Sequence, residues 1–525
     1  MTALLEVQLN YGALAPLIIL FAAAAIGVLI EGIIKKGLRD EAQMIVSALG
    51  LVGALAMTIQ NWRENEVGVH ALGSITTDGP TYFLWALLLV VTLLAMLLIS
   101  ERRLNKGSTN FTPMASSVPG STTEARAFEL KYEHTEVYPL VLFATFGMML
   151  FASANDFITM FVALEIFSLP LYLLSGMARR RRLLSQEAAL KYFMLGSMTS
   201  AIFLFGSALL YGFSGSLRLS DLAAAVSANT ESNPTLLYGG TVLVLVGLLF
   251  KIGVVPFHSW TPDVYMGAPT QITAYMAIAT KAAAVVAMMR VLFVGLGGIR
   301  WDWQPVVAVL AVLTMLVGSV VALSQTDIKR LLAYSSIAHA GFLLVAITGA
   351  VTEETAPNAL AGTVSSVLFY LGAYGLATLG AFAIVMMVRK AGGEANHLAS
   401  WAGLGRKYPV VGALMTLFML SFAGIPLTGG FIGKLAVFLA GWAGGYAWLV
   451  LVAVLMSLVA AFFYLRVVVV MFFQEPGEAA EGVTVDSPSW MTWTVIIVAA
   501  LGTLALGLWG GPLADLTLSA AEFLR

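Results

Sequence analysis

Residues 245–270 read LVGLLFKIGVVPFHSWTPDVYMGAPT. The run begins with the apolarity of a bilayer-spanning helix, carries one lysine, Lys251, and breaks at Pro256. Insertion scales put a lysine near the centre of a spanning helix at roughly +2.5 to 3.5 kcal/mol. Proline removes a backbone donor and obstructs the turn before it. A charge beside a helix break inside a membrane run marks a functional-site candidate of the transporter kind.

The surrounding chain supports a membrane setting. It has 525 residues, of which 59% are hydrophobic and 11% charged, whereas water-soluble domains carry about 25% charged residues. An all-α, multi-pass integral membrane protein is the implied class. There is no cysteine, which excludes disulfides, thiolate-held iron–sulfur clusters and Cys-ligated zinc. A net charge of −1 supplies no basic footprint, so nucleic acid is not an expected partner. Glu6 is the sole charge ahead of the first apolar run, so that run reads as a retained helix rather than a cleaved signal.

Fourteen apolar segments are near or above the ~20 residues a spanning helix needs. They cover approximately 11–34, 42–60, 79–100, 137–154, 157–177, 187–213, 236–258, 268–294, 303–325, 329–350, 358–388, 409–440, 446–473 and 490–517. The connector 101–136, rich in Ser, Thr and Gly at its centre, reads as a mobile loop. With fourteen crossings, one set of loops holds Lys35, Lys36, Arg39, Arg102, Arg103, Lys106, Arg126, Lys131, Arg179 to Arg182, Lys329, Arg330, Arg389, Lys390, Arg406 and Lys407. The other set holds Arg63, Arg218, Arg300 and Arg525. Eighteen against four places both termini on the non-cytoplasmic side under the positive-inside rule.

The break at Pro256 has a counterpart. In segment twelve, Gly424-Ile-Pro-Leu-Thr-Gly-Gly430 interrupts an apolar run at Gly424, Pro426, Gly429 and Gly430, and Lys434 follows. Segments four to eight and nine to thirteen then form two blocks of five, each with a broken, lysine-bearing helix in fourth place. An odd number of crossings per block requires the second block to lie inverted relative to the first. Paired interrupted segments at corresponding positions point to a translocation site. The expected organisation is an N-terminal three-helix part with a polar loop (1–136), a first five-helix repeat (137–294), a second, inverted one (303–473), and a C-terminal loop and last helix (474–525).

The intramembrane ionisable set is Glu165, Lys251, Lys281 and Lys434. Lys281 lies about eleven residues into segment eight, or ~16 Å at 1.5 Å per residue, near the middle of a ~30 Å core. Burial disfavours a charged ammonium and a carboxylate neighbour favours it, so such a group accepts and releases a proton as its partner moves. Glu165 is the natural partner of Lys251; the bland reading is a static ion pair that fixes helix packing. Glu187 and Lys191, spaced i,i+4, suit a helical ion pair or a secondary place on a proton path. His258 at the broken helix and His339 inside segment ten suit either structural hydrogen bonding or proton relay. No Walker, Rossmann or zinc motif occurs at a credible position.

KIGVVPFHSWTPDVYMGAPT resembles the antiporter-like membrane subunits of proton-pumping NADH–quinone oxidoreductase, respiratory complex I. The WTPDVYMGAPT form is most similar to the subunit N type. AGIPLTGGFIGKL (423–435) and DIKRLLAYSSIAHAGF (327–342) carry the same resemblance, which is strongest from Tyr138 to Phe473. It implies proton translocation through Glu165, Lys251, Lys281 and Lys434, at positions matching the family's buried glutamate and lysines. It also implies a bacterial inner or plasma membrane, and neighbouring antiporter-like, small membrane and hydrophilic subunits as partners, besides lipids. NAD, FMN, iron–sulfur clusters and quinone are then expected in the partner subunits, with no cofactor in this chain. The competing expectations are a subunit of a multisubunit cation/proton antiporter and a non-pumping membrane scaffold.

Overall fold

A chain inside a bilayer has no water to satisfy its backbone, so each crossing must close its own hydrogen bonds as a helix. The computed structural model describes residues 10–114, 117–118, 121–129, 133–228, 234–351 and 357–524; Lys131 and Arg525 lie outside them. The helices used below are α1 (Tyr11–Ile33), α2 (Lys36–Arg63), α3 (Gly79–Ile99), α4 (Val137–Ser153), α5 (Phe157–Ser175) and α6 (Arg182–Ser214). They continue with α7 (Pro234–Ile252), α8 (Trp260–Gly267), α9 (Thr270–Arg290), α10 (Arg300–Ser324), α11 (Ile328–Thr348) and α12 (Pro357–Met387). The last are α13 (Pro409–Ala423), α14 (Gly429–Ala443), α15 (Ala447–Phe473) and α16 (Trp490–Leu508).

Twelve of the described helices are long and apolar enough to cross a membrane, and α4, α13 and α14 are shorter apolar helices. Every one of the fourteen apolar segments is matched by helix. The second is longer than its apolarity suggests, because α2 extends through the polar residues 36–41. The twelfth is two helices, α13 and α14, with 424–428 between them. The seventh stops earlier than Pro256: α7 ends at Ile252 and the chain resumes as helix at Trp260. The break therefore covers 253–259, with Pro256 inside it.

Contacts between loops sort them into two faces. On one, Asn10 donates to Glu66 (3.4 Å), Ile75 bridges Ala154, Asp156 bridges Arg218, and the Leu524 amide donates to Asp78. The hairpin of β1 (Gly68–His70) and β2 (Ile75–Thr77) lies here. On the other, Phe111 bridges Ala178 and Asp327 bridges His397, and β3 (Val388–Lys390) pairs with both β4 (Gly393–Glu394) and β5 (Val483–Val485). The second face carries the abundant basic loops. Residues 10 and 524 share the first face, as an even number of crossings requires.

The described part of the 101–136 connector is not a free loop. Phe111 is buried, and Thr112 and Arg179 exchange backbone bonds with Met177 and Asn110 (2.8 and 2.9 Å). Glu101 is fully buried. Its carboxylate accepts from the Arg103 amide (2.7 Å), the Ser489 amide (2.8 Å) and the Ser489 and Thr492 hydroxyls (2.7 Å each). A carboxylate with that many donors holds α3 to the start of α16, and composition alone did not reveal it.

Three helices form the centre. All of α9 is buried, and 94% of the best apolar windows of α11 and α12 is buried too. The outer helices turn apolar side chains outward, among them Leu451, Leu455, Leu458 and Phe462 of α15. In water that exposure would be a liability; against lipid tails it costs nothing. Polar chemistry placed on the three central helices is thereby kept from lipid on all sides.

Candidate functional site

Each of the two breaks has a lysine beside it, on opposite sides along the chain. Lys251 lies in the last turn of α7, ahead of its break. Lys434 lies five residues into α14, beyond its break, and reaches back so that Nζ donates to the Ala423 carbonyl at the end of α13 (3.0 Å). The Lys251 ammonium is held by α5, whereas the Lys434 ammonium sits at the C-terminal end of a half-helix. The unpaired carbonyls and the negative pole of the helix dipole there favour a cation. The loose backbone is itself satisfied. Trp260 Nε1 donates to the Phe250 carbonyl (2.9 Å), and the Val255 amide donates to Thr314 Oγ1 of α10 (3.1 Å).

Lys251 stands in a cage. Its Nζ donates to Ser168 Oγ (2.8 Å) and Tyr172 OH (3.4 Å) of α5. The rings of Phe167, Tyr172, Tyr192 and Phe250 lie 5.4–5.6 Å away, within cation–π range. Glu165 is on the same face of α5 as Ser168 and Tyr172, at i, i+3 and i+7. It is not an ion-pair partner: among the described residues no carboxylate comes within 4.0 Å of Lys251, and Glu165 Oε1 is buried without a hydrogen-bond partner. The expected direct Glu165–Lys251 pairing is therefore absent, and Lys251 is held by hydroxyls instead. The hydroxyls on the next turns of α5 occupy the direct position.

Lys281 and Lys434 also use hydroxyls. Lys281 Nζ donates to Ser336 Oγ of α11 (2.6 Å) and to the Ser336 carbonyl, with the Tyr374 ring 5.5 Å away. Lys434 Nζ donates to Ser457 Oγ of α15 (2.8 Å) and faces the Phe342 ring at 4.8 Å. His339 lies between these two lysines. Its ring is 4.7 Å from Tyr374 and 5.8 Å from Phe342, it pairs through Nδ1 with Tyr370 OH, and its Nε2 is 3.0 Å from Tyr464 OH. Tyr464 OH in turn meets Ser335 Oγ. The tyrosine and serine partners were not identified from sequence, because a hydroxyl in an apolar helix has no periodic signature.

A small cavity of about 10 Å³ borders His339, Tyr370, Tyr374, Ser421 and Gly430, close to the lower limit for one water. It lies beside the second break, which is tightly folded. Gly424 has φ +80 and Gly430 approaches α13 so closely that a Cβ would lie 1.9 Å from the Ser421 carbonyl oxygen. Gly430→Ala is expected to lower the thermal stability of the chain in its assembled state, at a cost of about 1–3 kcal/mol or more for overpacking. Gly362→Ala, with open space around its Cβ position, should leave the melting temperature unchanged or slightly raised.

Glu187, Lys191 and His258 lie elsewhere. Lys191 bonds Glu187 (2.7 Å) and Asp263 of α8 (2.8 Å), and Asp263 also holds Arg330 of α11 (3.1 Å). This half-exposed network ties α6, α8 and α11 together at the basic face, with Asp263 as the hub that sequence reading passed over. His258 is in the α7–α8 break and partly exposed. Among the described residues there is no group of three or more His, Asp or Glu able to hold a metal ion.

Residues 154–460 match the family described as NADH:quinone oxidoreductase/Mrp antiporter, TM. NADH-quinone oxidoreductase subunit N of Cutibacterium acnes is 55% identical, over 100% of this chain and 98% of that protein. The protein of the same name from a Nocardioides species is 50% identical, over 98% and 99%. A chain of respiratory complex I from Thermus thermophilus, solved with bound aureothin, superposes with a TM-score of 0.74 at 33% identity, covering 95% of this chain and 98% of that one. A chain of the Mrp complex from a Dietzia species shares the fold, with a TM-score of 0.79 at 21% identity over 98% and 97%.

Proposed function

The chain belongs to the NADH-quinone oxidoreductase subunit N family, within the wider NADH:quinone oxidoreductase/Mrp antiporter membrane family, and on that premise we propose that it conducts protons through its central line of lysines. It is a multi-pass membrane subunit of a multisubunit complex. Its translocating role, as distinct from membership, rests on one observation. Two buried lysines, each beside a helix break, accompany a core in which Lys281 and His339 are joined to hydroxyl groups.

Protons are taken up from the cytoplasmic side near the α7–α8 break and load Lys251 and Lys281. They leave through the Lys434 half towards the opposite side. Glu165 biases Lys251 through space, and a change in that coupling shifts the proton along the line. The basic face is then cytoplasmic and both termini are non-cytoplasmic, consistent with the excess of Lys and Arg on one face. The blocks 137–294 and 303–473 act as the two inverted halves, each built around one break. Redox chemistry, with its NAD, FMN, iron–sulfur clusters and quinone, belongs to hydrophilic partner subunits, while neighbouring antiporter-like and small membrane subunits flank this chain.

Lys251→Ala and Lys434→Ala, each in the assembled complex, are expected to lower the proton-to-electron ratio or the coupled turnover while the complex still assembles. Unchanged stoichiometry and turnover in both variants would refute conduction through these sites. Loss of assembly in both, with normal pumping by whatever complex remains, would assign the lysines to scaffolding instead.

A further inference from the structure

The basic face contains a cavity of about 520 Å³ whose walls include none of Lys251, Lys281 and Lys434. It lies where the α5–α6 loop, the α8–α9 turn, the start of α11 and the β3–β4 hairpin meet. Its walls carry Arg179, Arg180, Arg181, Lys329, Arg389 and Lys390 against one acid, Glu394. That acid already accepts from Thr270 Oγ1 (2.6 Å). Six cations around one concavity repel each other and concentrate anions.

Charge asymmetry between loops accounts for basic residues on this face, but not for the inner wall. Gln271 is fully buried there, and neither its amide nitrogen nor its oxygen has a hydrogen-bond partner. Arg389 and Asn396 are each 3% exposed. Arg389 Nε and Asn396 Oδ1 lack hydrogen-bond partners, as does Asn110 Nδ2; the Asp486 carboxylate stands 3.9 Å from Arg389 Nε. Arg389 Nη2 donates to Asn105 Oδ1 (2.6 Å) and the Gly392 carbonyl (2.7 Å). Buried polar atoms are otherwise almost always paired, so unpaired donors on three residues that line the cavity, Asn110, Gln271 and Arg389, point to a ligand. The N-terminus of α9, 21 residues long and without a side-chain cap, opens onto the same cavity and adds the positive pole of its dipole.

We infer that this cavity is a binding site for a phosphate-class anion, supplied by an anionic phospholipid headgroup or by a soluble phosphate. The volume suits a small-molecule head rather than a bare ion. Guanidinium groups and amide N–H donors suit tetrahedral oxyanions, and basic pockets between membrane helices on the cytoplasmic side are a recognised form of lipid headgroup site. Occupancy would also brace the α8–α9 turn, whose Ala268 carbonyl is held by Lys329 Nζ (2.7 Å).

The test uses the assembled complex with two probes. One is radiolabelled inorganic phosphate in neutral detergent. The other is a photoactivatable phosphatidylglycerol, a minor component of phosphatidylcholine nanodiscs. At least one probe is expected to bind saturably to this chain, with affinity reduced about tenfold or more in Arg389→Gln, as loss of a charge-assisted bond implies. The double variant Arg181→Gln/Lys390→Gln, at two exposed positions, should weaken binding without depending on a buried residue. Lys35→Gln/Lys407→Gln, on the same face outside the cavity, should not. Saturable phosphate binding assigns a soluble anion, and labelling by lipid alone assigns a headgroup. Equal binding to the wild type and the Arg181/Lys390 double variant with both probes would overturn the site.

Discussion

Lys281→Met is expected to stop proton conduction while leaving the fold in place, the largest functional loss from any one substitution in this chain. Methionine keeps the volume and the unbranched stem, and volume-conserving exchanges usually cost less than about 1.5 kcal/mol. It removes the ammonium that meets Ser336 and faces Tyr374. The His339 cluster, which shares the Tyr374 ring with Lys281, then loses its charged neighbour on that side. A positioned proton-transfer group is worth about 100-fold or more in rate, so conduction should fall by at least that factor. The measurement is proton uptake into vesicles driven by NADH oxidation, with assembly followed by the amount of intact complex. Pumping at the wild-type rate by fully assembled Lys281→Met complex would remove Lys281 from the path.

The second large effect concerns stability. Arg290, at the end of α9, and Asp78, at the start of α3, form a bidentate pair of 2.8 and 2.9 Å with both side chains almost wholly buried. Arg290 also donates to the Ala152 carbonyl (2.9 Å) and Thr81 Oγ1 (2.8 Å), and its guanidinium faces the Phe523 ring at 5.0 Å. Asp78 accepts from the Thr81 amide, capping α3, and from the Leu524 amide (3.1 Å each). One ion pair thus joins α3, α4, α9 and the C-terminal segment. Breaking such a pair from one side leaves an uncompensated buried charge and costs about 3–5 kcal/mol. Asp78→Leu should therefore strip the chain from the complex at markedly lower temperature. Asp78→Leu/Arg290→Met should regain much of the loss, because replacing both charges by apolar groups is often close to neutral. A double variant no more stable than the single one would show that the charges themselves, rather than their mutual compensation, hold this corner.

Arg290 also shows how much of the molecule was legible. In the sequence it is a basic residue at the edge of a span with no role. Its partner is 212 residues away, and nothing in the local pattern of either residue points to the other. The same holds for Lys251, whose oxygen partners lie 83 and 79 residues back along the chain. Glu165 was the reasonable choice of partner, being the sole charge in its run. The fold instead turns Ser168 and Tyr172 towards the ammonium and leaves the carboxylate at longer range.

The sequence by itself determined the crossings, the two interruptions, the lysines beside them and the excess of basic residues on one face. The physical reason is local. In lipid each crossing must satisfy its own backbone, so apolar length, proline, glycine and stray charge are legible along the chain. Only the tertiary structure decided that Lys434, beyond its break, reaches back to the carbonyl end of α13. It also decided that hydroxyls rather than carboxylates hold the lysines, that His339 lies between Lys281 and Lys434, and that six cations surround one cavity. Those facts depend on which surfaces of distant helices meet. That is set by packing summed over the whole bundle, which no local pattern records.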